Sequence, residues 1–155
     1  MKNFQEYIDK NKIVLDKALE IDNIKWNESI NFKYIIKNKD LELILKKNKT
    51  YLVIYEGEPL ITKTILEKAI QISANVIFTI NDYYLATNTI LVGIANKLLE
   101  ENNIKCFFKL YNNIKESKIF ENTDQVDTTV FIGDKENFDY IEAHVKGNLI
   151  KIEYI

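Results

Sequence analysis

Apolar and polar positions follow two different periods along this chain, and the change of period marks its elements. In the first 23 residues Phe4, Tyr7, Ile8, Leu15, Ala18 and Leu19 recur at spacings of three, four and seven. That pattern predicts one or two amphipathic helices packed on the later part of the chain. From Ile30 the stretch INFKYII alternates apolar and polar residues, a polar KNKD turn comes next and LELIL resumes the apolar pattern, which predicts a β-hairpin ending at Leu45. YLVIYEG (51–57) is a short apolar run closing in turn residues. An amphipathic segment over 64–73 comes next, with Thr64 and Glu67 spaced as a capping box. NVIFTIND (75–82) repeats the strand signal, and Leu91, Ile94, Ala95 and Leu98 then share one helical face. Asp82 is the expected N-cap of that helix, starting near Tyr84. KCFFKLYN (105–112), TTVFIGD (128–134) with Phe138, Ile141 and Val145 behind it, and NLIKIEYI (148–155) complete five strand candidates.

Apolar strands separated by helical stretches build a parallel sheet through right-handed crossovers, with helices on both faces. The expected fold is therefore α/β, a Rossmann-like three-layer domain with N-terminal helices and a hairpin. One Pro, four Gly and no linker-like stretch point to a single domain over 1–155, made of a helical and hairpin extension (1–50) and an α/β core (51–155).

Composition narrows the picture. Hydrophobic residues make up 46% and charged residues 28%, the balance of a globular chain, and no apolar run has the length of a membrane span. MKNFQEYIDKNK is too charged for a secretory signal, so a cytoplasmic location is expected. The 21 Lys and Arg are scattered among 23 Asp and Glu rather than gathered into a stripe, which indicates no nucleic-acid partner. One Cys and one His supply no zinc-ligand set. Cys106, beside Phe107 and Phe108, is expected as a buried structural residue within a strand, His144 as a surface or packing residue, and Trp26 as a packing anchor between the N-terminal helices and the hairpin.

In an open parallel sheet, ligands bind outside the strand C-termini. Those positions here are Glu56 to Pro59, Thr79 to Tyr83, Tyr111 to Ile114 and Gly133 to Glu136. Neither the G-x-G-x-x-G fingerprint nor a P-loop occurs among them. Tyr83 and Tyr84 place two aromatic rings beside the expected crevice, suited to stacking on an adenine or to forming a partner-binding patch.

YEGEP, NVIFTIND, the helix through Leu98 and VDTTVFIGD, in this order, resemble the NAD-binding domain of aldehyde dehydrogenases, including the glutamyl-phosphate reductases. The resemblance covers roughly residues 52–155. It implies a cofactor crevice formed by Gly57, Pro59, Thr79, Asp82, Tyr83, Gly133 and Asp134, with NAD or another adenine nucleotide as the ligand to expect. The departures are specific. Ile80 stands where the family has its ribose-contacting lysine and Asn81 where a proline follows. Gly57 replaces the oxyanion-hole asparagine, and Asp134 replaces the serine of the pyrophosphate turn with Glu136 just behind. Carboxylates at that helix N-terminus would occupy its donors and repel a pyrophosphate. Glu153 aligns loosely with the family's glutamate base, and the segment carrying the nucleophilic cysteine would begin beyond the end of this sequence, so no catalytic residue is assigned. The expected role is a non-catalytic binding or assembly module, whose partner is another copy of itself or another protein, with neither nucleic acid nor membrane involved. The alternatives are an NAD- or adenine-nucleotide-binding protein and a small enzyme with a new site around Glu56, Asp82 or Tyr83.

Overall fold

A computed structural model describes residues 3–26, 45–112, 118, 120–121 and 123–154. Two short helices open the chain, α1 (Phe4–Lys10) and α2 (Lys12–Asp22). The expected hairpin over 30–45 lies outside the described residues apart from Leu45, which is buried in the core. The strands are β1 (Thr50–Ile54), β2 (Asn75–Ile80), β3 (Phe108–Asn112), β4 (Thr128–Gly133) and β5 (Leu149–Glu153). Between them lie α3 (Pro59–Ile72), α4 (Leu85–Glu101) and α5 (Phe138–His144). The strands form one parallel sheet in the order β3-β2-β1-β4-β5. With helices on both sides this is a doubly wound, Rossmann-like α/β fold.

Side-chain alternation assigns each strand residue to a face. Val53, Val76, Phe78, Ile80, Val130, Ile132 and Ile152 join the larger core, together with Ile65 and Leu66 of α3 and Leu91 and Leu98 of α4. Fully buried side chains of this size contribute about 1.5–3 kcal/mol each. The predicted apolar positions of α1 and α2 are buried in the same core, and both helices lie across α4. Trp26 is half-buried against this core. On the opposite face Leu52, Ile54 and Phe131 pack with Phe120 and with Ile141 of α5.

Three local expectations are corrected. α3 starts at Pro59, five residues before Thr64, because proline's fixed φ suits the first helical position. Thr64 is therefore interior, donating to the Leu60 carbonyl at 2.8 Å, and forms no capping box. β3 begins at Phe108, which leaves Cys106 half-buried just before the strand instead of inside it. Finally, Asn81, not Asp82, caps the turn after β2: its Oδ1 accepts from the Tyr83 amide at 3.0 Å. No described helix is long and apolar enough to cross a membrane.

Candidate functional site

β1 is flanked by β2 on one side and β4 on the other, so the connections leaving β1 and β4 run in opposite directions and their C-terminal ends part. At this switch point lies a cavity of about 220 Å³ lined by Ile54, Glu56, Asn81, Phe131, Gly133, Asp134, Asn137 and Tyr154, among others. Among the described residues its lining contains no Cys, Ser, Lys or His, and its titratable side chains are those of Glu56, Asp134, Tyr55 and Tyr154.

Gly57 turns the chain from β1 toward α3 at φ +111°, in the region that disfavours a Cβ. A Cβ there would also lie 3.0 Å from that of Ile80. Asn88 of α4 fixes the turn by donating to the carbonyls of Gly57 at 2.6 Å and Tyr84 at 3.0 Å, while its Oδ1 is buried without a partner. Ile80 itself is buried in the larger core, on the face covered by α3 and α4. A lysine introduced there would replace core packing with a buried ammonium.

The residues expected to share one crevice divide. Gly133 and Asp134 line the cavity, whereas Gly57, in the turn after β1, and Pro59, the first residue of α3, are not among its lining residues. Asp82 points toward β3, its Oδ1 accepting from Asn112 Nδ2 at 2.6 Å, and Tyr83 is 77% exposed. Thr79 faces the other side of the sheet and lines a larger hollow of about 570 Å³ with Leu52, Ile77 and Tyr111. At the pyrophosphate turn Asp134 does not occupy the helix donors as expected. Asp134 makes no side-chain cap bond, and both Asp134 and Glu136 are exposed, where solvent and salt screen them. The Phe131 ring packs so close to Gly133 that a Cβ on the glycine would lie 2.6 Å from the ring's Cζ. That ring is held edge-on against Phe138, with centroids 6.0 Å apart.

Sequence reasoning missed two carboxylates. Glu58, immediately before α3, is 2% exposed, and the Tyr154 hydroxyl donates toward its carboxyl oxygens at 3.2 and 3.1 Å. Burial, and then the nearby Glu56 charge, push its pKa up to about 8. Burial also raises the Tyr154 phenol. Asp22, at the end of α2, accepts from the backbone amides of Ala86 at 3.1 Å and Thr87 at 2.6 Å, filling the N-terminus of α4. These pairs are 96 and about 64 residues apart, so no local signal could have revealed them.

Cys106, His144 and Glu153 lie away from this cavity. Cys106 is at the N-terminal end of β3, opposite the crevice, and burial pushes its thiol up. His144 ends α5, exposed, with its ring 4.2 Å from that of Tyr140. Glu153 is exposed at the end of β5 and does not line the cavity. Among the described residues no group of three or more His, Cys, Asp or Glu side chains could hold a metal ion.

The fold and the crevice define a doubly wound α/β domain with a narrow switch point. Of the solved structures, the γ-glutamyl phosphate reductase of Thermotoga maritima shares this fold with a TM-score of 0.66 at 13% identity, over 95% of this chain and 45% of that one. The chain thus spans less than half the length of that reductase. No family model and no curated protein matches the sequence.

Proposed function

We propose that the chain is a non-catalytic binding or assembly module built on an aldehyde-dehydrogenase-like cofactor domain whose crevice no longer admits a dinucleotide. The observation that carries this is the Phe131 ring lying over Gly133 inside a switch-point cavity of about 220 Å³. Ligand pockets usually run to about 300–1,000 Å³. The likeness in fold to a γ-glutamyl phosphate reductase, together with the order of the YEGEP, NVIFTIND and VDTTVFIGD segments, supports the superfamily reading. A cytoplasmic setting belongs to the same reading. Thermal-shift measurements against NAD, NADP, ATP and ADP-ribose test it. Flat midpoints are expected, and a midpoint rising with the concentration of any of them overturns the closed crevice.

For assembly, we infer that another copy of the chain is the partner. Exposed Ile13 and Ile21 on α2, and the outer edges of β3 and β5 in the described sheet, support this. Light scattering should give a multiple of 18.2 kDa, and a constant monomer mass over a wide concentration range overturns self-association.

A further inference from the structure

In an edge strand every second residue turns its backbone N–H and C=O away from the sheet. Along β5 the Asn148 carbonyl accepts from Thr129 at 2.9 Å and the Tyr154 amide donates to Gly133 at 3.0 Å, so the even-numbered residues bond β4. The amides and carbonyls of Leu149, Lys151 and Glu153 therefore face outward, and no hydrogen bond among the described residues takes them. The opposite edge of the sheet differs. There the outward N–H and C=O of Phe108 in β3 are both held by the Asn96 side chain of α4, at 3.2 and 3.0 Å, and an arriving strand would first have to displace it. The open edge also carries charge in a matching order. Lys151 and Glu153 are exposed and, two residues apart, lie on one face of the strand. Lys151 pairs with Glu142 of α5, whereas Glu153 has no ion pair among the described residues. On the other face Ile152 and Tyr154 belong to the larger core, with Ile150 packed against it half-buried.

We propose that β5 is the seam of self-association, pairing antiparallel with β5 of a second copy about a two-fold axis at Ile152. This rests on the self-association reading and specifies where the two copies meet. A two-fold seam is self-complementary, so the residue on the axis fixes what every other residue faces. With Ile152 on the axis, Lys151 faces Glu153 of the second copy and Glu153 faces its Lys151, which sets two opposite-charge pairs across the seam. The same two residues present the outward N–H and C=O groups, so they become the hydrogen-bonded pairs of the antiparallel ladder. On the core-facing side Ile152 meets Ile152, and half-buried Ile150 faces Tyr154. Neighbouring axes lose this match. With Lys151 on the axis the two lysines oppose each other, and with Ile150 on it Lys151 faces Leu149 while Glu153 faces Gly147. Pairing at the Ile152 axis joins the two sheets into one continuous sheet and removes an open edge from each copy.

Sedimentation velocity on the full chain, over a range of concentrations at neutral pH and low salt, tests it. Lys151→Glu and Glu153→Lys each set like charges opposite one another at both pairs and should raise the dimer dissociation constant about tenfold. Mixed in equal amounts, the two variants regain opposite charges at both pairs and should associate with each other about as tightly as the wild type. Lys109→Glu, on β3, should leave the constant unchanged. A wild-type dimer that neither β5 substitution weakens, that Lys109→Glu weakens equally, or whose variants associate no better mixed than alone overturns the β5 seam and leaves self-association standing. A wild type that stays monomeric throughout overturns both. Should Lys151→Glu not fold, amide exchange followed by NMR on the wild type decides. The Lys151 and Glu153 amides should gain about tenfold protection as the concentration rises through the dissociation constant while the Leu110 amide does not, and no gain at Lys151 and Glu153 overturns the seam.

Discussion

Replacing Asp22 with alanine removes the side chain that caps the N-terminus of α4, the 17-residue helix on which α1 and α2 pack. Two amides, those of Ala86 and Thr87, lose a charged acceptor at 3.1 and 2.6 Å. Loss of an N-cap acceptor costs about 0.5–2 kcal/mol, and loss of a negative charge at the positive end of the helix dipole adds about 0.3–1 kcal/mol. The two terms overlap, because both describe the same carboxylate, so the expected total is about 2 kcal/mol. For a chain of this size each kcal/mol moves the melting midpoint by about 2–4 °C, giving a drop of about 4–8 °C. Urea denaturation of wild type, Asp22→Asn and Asp22→Ala provides the assay. The asparagine amide oxygen can still accept a bond without the charge, so Asp22→Asn should fall between the other two. High salt should narrow the gap between wild type and Asp22→Asn, because only the charge is screened. A loss below about 0.5 kcal/mol for Asp22→Ala would show that water replaces the carboxylate at no cost and that the N-terminal helices are held by apolar packing alone.

Other consequences are equally direct. The folded-state pKa of Glu58 is raised from 4.5 to about 8, so its contribution to stability is complete below pH 4.5 and is lost as the pH rises through 8. The stability of wild type relative to Glu58→Gln should therefore fall between pH 5 and 8 by up to about 1.4 kcal/mol per pH unit, and a constant difference over that range contradicts the assignment. Gly57→Ala combines a positive φ with a contact at 3.0 Å to Ile80 and should cost more than about 1 kcal/mol in urea denaturation, so a neutral result would mean the turn is not held as described. Half-buried Cys106, its thiol pushed up by burial, should react with a soluble thiol reagent in the native state, but much more slowly than after denaturation. Equal rates in the two states would show that the residue is fully accessible.

Local periodicity made much of the fold legible in the sequence. The five strands are marked by apolar runs and α4 by the spacing of Leu91, Ile94, Ala95 and Leu98, because burial on one face imposes a period that a short window reveals. The start of α3 is misleading in sequence because Thr64 and Glu67 satisfy a capping pattern inside a helix that proline has already begun. Nearness to strand ends picks out candidate crevice residues but cannot separate the two faces of the sheet. Thr79 and Ile80 are neighbours in sequence, yet one lines the hollow on the far face and the other joins the core beneath the helices. The two carboxylate arrangements join distant segments, Glu58 with Tyr154 and Asp22 with Ala86 and Thr87, and become visible only once the chain is folded.

The proposed function rests on closure of the switch point to a dinucleotide by Phe131 over Gly133. Isothermal titration calorimetry of the wild-type chain with NAD tests that claim most directly. No saturable heat is expected up to about 1 mM ligand, the equivalent of binding weaker than about −4 kcal/mol. A saturable isotherm with one site per chain and a Kd below about 100 µM would contradict it and show that the Phe131 ring yields to the cofactor.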